Sequence, residues 1–350
     1  MKRTREQKLS GQMKRKISNG KKEIKEKSEL VGNTETMIST GSTLLDLAIS
    51  GGRVKGGGIP GGIMFEAFGP SSSGKTVLLC EIAGAIQRQG GSIQFNDPEA
   101  RLNKQFASMF DFDLKNVEVH QPNTVTEVFA NIRKWEPETK APIHSIMTDS
   151  LAALSTDLEM DSDEGDKMGM RRGKEFSEGF RKTARILKQN NYIMGCSNQI
   201  RDNLSTHGEK FSVPGGKAIA FYASLRLRFF SPEKIKKTKT VQGKEVHRII
   251  GTKVRVEVYK NSIDAPYRDA FLYIIFDYGI DDVRANLQFV KDFTKHSVYT
   301  LNSETLDKSM EKAIAIIEED ELEDELKTEV IELWTDIQSK FESNRKKKKR

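Results

Sequence analysis

Eight residues constrain this chain more than any others: Gly69-Pro70-Ser71-Ser72-Ser73-Gly74-Lys75-Thr76. They match G-x-x-x-x-G-K-[ST] and follow an apolar run, Ile63 to Phe68. A helical pattern comes next, over Thr76 to Gln89, with Leu79, Ala83 and Ile86 on one face and Gly90-Gly91 as its stop. Strand, glycine loop and helix in that order make an anion cradle. Loop N–H groups wrap phosphates, the helix N-terminus adds its dipole, Lys75 reaches the β/γ-phosphates and the Thr76 hydroxyl coordinates Mg²⁺. A Gly/Ser-rich turn, the bland reading of the same letters, gives no reason for both flanks to be right.

The rest of the chain extends this unit. Ser92 to Asn96, Val117 to His120, Ser145 to Thr148 and Tyr192 to Ser197 read as further strands, and Thr124 to Trp135 as a helix opened by a capping box of Thr124 and Glu127. Such alternation predicts an α/β fold with a mostly parallel sheet and helices on both faces. After Ala223 the period changes to two: Leu225, Leu227 and Phe229 alternate with Arg226 and Arg228, and Val254, Val256 and Val258 with Lys253, Arg255 and Glu257. These are expected to extend the sheet with antiparallel strands. Phe271 to Phe276 reads as another strand, and residues 304–344 as one or two charged helices.

At 350 residues the chain suits two domains, or one large domain with appendages. Its net charge of +7 is unevenly spread. Residues 1–30 hold 11 Lys/Arg against 4 Glu, Arg345 to Arg350 are six consecutive cations, and residues 304–344 carry 14 acids against 4 bases. Basic ends suit a polyanion such as nucleic acid, and solvated arms equally. Cys80 and Cys196 lack companions for a disulfide framework or zinc site and read as apolar fillers. With no membrane-length apolar run and no signal-peptide pattern, a cytoplasmic location is expected.

A phosphate loop needs a carboxylate to hold Mg²⁺ through water, at the end of a strand beside the loop's own. Asp149, after Ser145 to Thr148, fits; capping the next segment is its alternative use. Hydrolysis also needs a group to orient water. Glu99, in Asn96-Asp97-Pro98-Glu99, is the candidate and Asp97 the alternative, although Pro98 and Glu99 would equally open a helix. Two long polar stretches, residues 157–179 with Arg171-Arg172-Gly173-Lys174 and Arg201 to Gly216 after Asn198-Gln199-Ile200, read as loops suited to a nucleic-acid groove or to solvent.

Together these elements resemble the RecA family of ATP-dependent DNA recombinases, including versions carried by bacteriophages. The resemblance runs through Gly41-Ser42-Thr43-Leu44-Leu45-Asp46, Gly69 to Thr76, Asp97-Pro98-Glu99-Ala100, Asp149 to Leu154, Gly165-Asp166-Lys167-Met168-Gly169, Asn198-Gln199-Ile200-Arg201, Gly215-Gly216-Lys217-Ala218 to Ser224 and Asp277-Tyr278-Gly279-Ile280, in collinear order. It implies Glu99 as the catalytic carboxylate, Asp149 at Mg²⁺, Gln199 as the γ-phosphate sensor and Phe106 on adenine. Residues 161–173 and 201–214 would be the DNA-binding loops, with Met168 and Leu204 between base triplets, Arg181 and Arg201 near phosphates, and Gly169, Gly215 and Gly216 in the same surface. Phe221 and Lys260 would lie at the subunit interface, with Lys260 reaching across it to the neighbour's nucleotide.

The chain departs from the bacterial pattern in places. Ser262 stands where a second interface lysine would, the second loop's aromatic is shifted to Phe211, and an insertion near Arg171 to Glu175 leaves open whether Arg171 or Arg172 meets DNA. The implied function is an ATPase that forms filaments on single-stranded DNA and pairs it with a homologous duplex, using ATP and Mg²⁺. A ring-forming helicase motor and a regulatory single-strand-binding paralogue are the alternatives. The expected division is a basic arm over 1–36, an ATPase core over 37–280, a helical lobe over 281–344 and a basic tail over 345–350.

Overall fold

The computed structural model describes residues 33–110, 112–157, 159, 169–202, 211–343 and 345. Most of the basic arm, nearly all of the basic tail, Met168 and Leu204 therefore lie outside the described residues. Six parallel strands form the centre: β3 (Met64–Gly69), β4 (Ile93–Asn96), β5 (Val117–His120), β6 (His144–Thr148), β7 (Tyr192–Gln199) and β10 (Leu225–Phe229). Their order across the sheet is β10-β3-β7-β6-β4-β5. The antiparallel extension beyond β10 consists of β12 (Lys244–Asn261), β13 (Asp269–Ile275) and β14 (Gly279–Ile280), with β11 (Glu233–Val241) pairing β12. Both halves agree with the periods read from sequence.

Side chains alternate across the pleat, so the sheet has a core on each face. Phe65, Ala67, Phe95, Met147 and Ile193 face one side, against α2 (Lys75–Arg88). Met64, Ile146, Met194 and Cys196 face the other, against α4 (Val125–Lys134) and α5 (Gly169–Gln189). Cys80 and Cys196 are buried free thiols. The Thr124–Glu127 capping box forms as its sequence predicts.

Two expectations need correction, and one residue lies where alternation alone does not place it. Residues 169–179, read as loop, open α5, because Phe176, Phe180, Thr183 and Leu187 recur at helical spacing and are buried, the two phenylalanines against Phe129. Arg226, on the polar side of an alternating strand, does not face solvent; it is buried against Glu66 of β3. Between β6 and the phosphate-loop strand runs β7, so Asp149 does not end an adjacent strand.

The remaining elements brace this sheet. β1 (Asn33–Ile38) pairs with β2 (Ile59–Gly61), and α1 (Thr43–Asp46) leads into a short π turn. Within the Gly41 to Asp46 motif, the Thr43 amide and hydroxyl donate to Asp282 at 2.8 and 2.7 Å, tying α1 to α7 (Asp282–Thr294). Asp46 accepts from Thr40, and burial raises its pKa to about 7. The acidic region forms two helices, α8 (Met310–Glu319) and α9 (Glu323–Ser339), after the hairpin β15 (Tyr299–Leu301) and β16 (Glu304–Asp307). Leu326, Val330 and Trp334 of α9 join the main core.

Candidate active site

Carboxyl ends of parallel strands gather ligands, since the helices that follow aim their N-termini there. Along this edge come, in spatial order, Gly69, Gln199, Asp149 and the turn holding Asp97 and Glu99. Glycine is required twice in the loop. A Cβ on Gly69 would stand 2.4 Å from the Phe229 carbonyl oxygen, and Gly74, at φ +92°, adopts the left-handed conformation that turns the chain into α2.

Pro70, Ser71 and Ser72 form the crest of the loop, and the Ser73 hydroxyl closes it by donating to the Pro70 carbonyl at 2.8 Å. The Lys75 ammonium lies inside, donating to the carbonyls of Gly69 at 3.2 Å and Pro70 at 2.6 Å. Burial lowers its pKa, against the upward pull of Asp149 and Glu99. Arriving phosphates would offer this cation charged acceptors in place of two neutral ones.

Thr76 reaches Asp149 despite the intervening strand: its hydroxyl donates to Oδ2 at 2.6 Å, while Ser197 of β7 donates to Oδ1. Strand β7 thus adds a hydroxyl, which the sequence did not announce. Asp149 makes no cap on the 3₁₀ turn that follows. Burial raises its pKa, the Ser197 and Thr76 hydroxyls oppose that, and Glu99 and Asp97 add to it. A hydroxyl and a carboxylate, all oxygen donors, suit a hard cation such as Mg²⁺, and the surrounding negative charge favours one.

The two other carboxylates separate cleanly. Asp97 is buried and accepts the Arg101 and Leu102 amides at 3.1 and 2.8 Å, which occupies it with shaping a turn. Glu99 accepts from the Ser150 hydroxyl at 2.8 Å, the residue after Asp149, and pairs with Arg101 at 2.7 Å. Pro98 and Glu99 open no helix: α3 (Lys104–Ser108) begins later, capped by Asn103. Phe106 on α3 is half-buried and meets Phe110 edge-on at 5.0 Å.

Gln199 ends β7 beside Gly69, half-buried, and the next amide, Ile200, donates to the Gly69 carbonyl at 3.4 Å. Arg201 and Asp202 form β8 against β9 (Phe211–Ser212). Two residues that the sequence reading did not link anchor this return to the phosphate-loop strand. Phe211 stacks on Phe68 with ring centroids 5.8 Å apart, and Arg228 lies over its ring at 4.6 Å. Asn198 donates to Glu66 at 3.1 Å and to the Pro214 carbonyl at 3.0 Å, while Arg226 binds Glu66 at 2.6 Å and covers Phe68. An acid inside the apolar run Ile63 to Phe68 was the available signal.

Arg171 and Arg172 occupy the first turn of α5 rather than a loop, with Glu175 at 3.8 Å and Glu159 at 3.1 Å as partners; Gly169 is its first residue. Arg181 is exposed further along the helix. Gly215 and Gly216, both at positive φ, lead into α6 (Lys217–Tyr222). Phe221 on α6 is 77% exposed. Lys260 donates to the carbonyls of Ala220 and Phe221 at 2.8 and 3.1 Å and so holds the end of that helix.

A glycine loop between β3 and α2, with Asp149 on the loop threonine, defines an α/β protein of the P-loop class. Comparison with known proteins takes this further. The family pattern described as RecA N-terminal domain matches residues 11–281. The chain is 31% identical over 306 residues to Protein RecA of Borrelia hermsii, covering 86% of this chain and 82% of that one. With Protein RecA of Thermus thermophilus it shares 32% identity over 322 residues, 89% and 90% of the two chains. The chain belongs to the RecA family, a family of ATP-dependent recombinases that act on DNA. The comparisons favour neither the ring motor nor the regulatory paralogue. Among the described residues, no helix is long and apolar enough to cross a membrane.

Proposed function

We propose that this chain binds ATP at Gly69 to Thr76, polymerises on single-stranded DNA in the cytoplasm and pairs that strand with a homologous duplex. Lys75 holds the β/γ-phosphates, Thr76 and Asp149 hold Mg²⁺, and Phe106 packs on adenine. Bound Mg²⁺ supplies charge neutralisation at the phosphates. Glu99 orients and deprotonates the attacking water, with Ser150 and Arg101 fixing its carboxylate. Gln199 senses the γ-phosphate and relays it to the return through Phe211.

Residues 37–280 act as the ATPase core, 1–36 as an oligomerisation or DNA arm, 281–344 as a helical lobe and 345–350 as a basic tail. Met168, Gly169, Arg171, Arg172, Arg181, Arg201, Leu204, Gly215 and Gly216 form the DNA surface, and Phe221 and Lys260 the contact between subunits. DNA is gripped by its phosphates without sequence preference, and base pairing tests homology.

The observation that carries this reading is the reach of Thr76 to Asp149 with Glu99 joined to the next residue, Ser150. ATP turnover measured with and without single-stranded DNA, with strand pairing followed in the same samples, tests it. Stimulation together with pairing is expected. Unwinding without pairing, or DNA binding without stimulated turnover, would replace it with a motor or a regulatory binder.

A further inference from the structure

The β11–β12 hairpin has an arrangement that neither the nucleotide site nor the two loops use. Strand β12 pairs with β13 only from Gly251 onward, and β11 lies off the main path of the sheet. Among the described residues, the hairpin from Lys236 to Ile249 is therefore a two-stranded ribbon with no third strand, of six cross-strand pairs and roughly 20 Å long at ~3.3 Å per residue. Gln242 and Gly243 close it, both at positive φ, as a two-residue hairpin turn demands.

Direction follows from register. Strand β10 runs parallel to β3, and Phe229 at its end lies opposite Val256 of β12. Residues of β12 before Val256 thus continue past the edge where the phosphate loop and Gln199 emerge. At the root, Arg255 and Arg228 lie over Phe230 at 4.4 and 4.8 Å, and Arg228 also covers Phe211.

Cross-strand partners share a face. One face carries Lys237 opposite Arg248, Lys239 opposite Val246 and Val241 opposite Lys244: four cations and no acid. Among the described residues none of the four has an ion-pair partner. Cations directly opposite each other weaken a hairpin, so folding alone gives no account of Lys237 facing Arg248. The other face mixes Lys236, Thr238, Thr240, Glu245, His247 and Ile249.

We propose that the Lys237, Lys239, Lys244 and Arg248 face of this ribbon is a phosphate-backbone contact for duplex DNA. The proposal rests on the DNA-pairing function above. Single-strand sites combine cations with aromatic side chains on which bases stack, and residues 233–250 contain no Phe, Tyr or Trp. A row of cations on a two-stranded ribbon suits a duplex, whose phosphates are regularly spaced and whose major groove admits such a ribbon.

The test uses the full chain and its quadruple variant, Lys237→Ala, Lys239→Ala, Lys244→Ala and Arg248→Ala. Both are titrated without nucleotide onto a mixed-sequence duplex oligonucleotide between ~50 and ~200 mM salt. The slope of log affinity against log salt should flatten by up to ~0.9 per lost contact, while single-strand-stimulated ATP turnover matches the parent. A second variant, Lys239→Glu with Lys244→Glu, alters only exposed tip residues and should weaken duplex binding in the same direction. Unchanged slopes would overturn the proposal. So would a duplex slope kept while salt-sensitive self-association without DNA is lost, which would make the acidic helices of a second copy the partner. If the parent itself lacks stimulated turnover, the proposed function fails, whereas the slope comparison still decides the ribbon.

Discussion

Charge is handled differently in the two halves of the central sheet. At the parallel end, Lys75 is enclosed by loop carbonyls, Asp149 by two hydroxyls, Glu99 by Ser150 and Arg101, and Arg226 by Glu66. On the antiparallel ribbon, Lys237, Lys239, Lys244 and Arg248 share one face without acids. Phosphoryl transfer needs groups fixed to a fraction of an ångström, which buried hydrogen bonds provide. Contact with a phosphate backbone needs density of charge more than exact placement. Positions on the parallel side should therefore respond sharply to single substitutions, and those on the ribbon gradually and with salt.

Four substitutions probe that contrast, beginning with the largest effect. Glu99→Gln keeps size and polarity but removes the base, so turnover should fall by about 10² to 10⁴ with ATP affinity retained. Steady-state hydrolysis alongside calorimetry checks it, and wild-type hydrolysis would remove Glu99 from the chemistry. Arg226→Met strands a buried carboxylate on Glu66, which should cost about 3–5 kcal/mol in denaturant unfolding. Adding Glu66→Gln should recover part of that loss; no recovery would mean that Arg226 acts instead by covering the rings of Phe68 and Tyr259, which lie 4.4 and 5.5 Å from its guanidinium.

Lys75→Ala should weaken ATP binding about 10²-fold, in line with losing charged hydrogen bonds to phosphate. Normal affinity by calorimetry would contradict the role given to this ammonium. The smallest effect is expected at Phe211→Ala, which loses ring contacts with Phe68 and Tyr259 and a cation–π contact with Arg228, together about 1–3 kcal/mol. It should narrow the gap between single-strand affinities measured with ATP and with ADP by about tenfold while leaving ATP affinity alone. An unchanged gap would confine Phe211 to packing.

Much of the parallel half was legible in the sequence because its signals are local. A glycine loop between a strand and a helix, β-branched runs and the Thr124–Glu127 box each need only a few neighbouring residues. Strand order was not legible: whether β7 separates β6 from β3 depends on crossovers between residues far apart in the chain. Period-two alternation correctly marked β10, yet it reports which side a residue faces and not what covers that side, so the burial of Arg226 was missed. Polar and glycine residues mask the start of α5 in the sequence, because what fixes it is the packing of Phe176 and Phe180 on Phe129 from another helix.

At the candidate site, the loop and Asp149 followed from motif chemistry. Glu99 stood ahead of Asp97 by its place after the strand, but pattern alone left it an equal use in opening a helix; resemblance singled out the catalytic use, and the next helix begins only at Lys104. The ribbon escaped notice because its lysines add little to a net charge dominated by the chain ends. Only the cross-strand register collects Lys237, Lys239, Lys244 and Arg248 on one face.

In the proposed function, one sheet edge couples ATP to the pairing of homologous DNA. The most direct test of that coupling is joint-molecule formation between a circular single strand and a linear duplex with ATP and Mg²⁺, run beside a heterologous duplex of equal length. Joint molecules are expected with the homologous duplex alone and should be lost in Lys75→Ala. Equal yields from both duplexes, or none from either while single-strand-stimulated hydrolysis proceeds, would contradict that coupling.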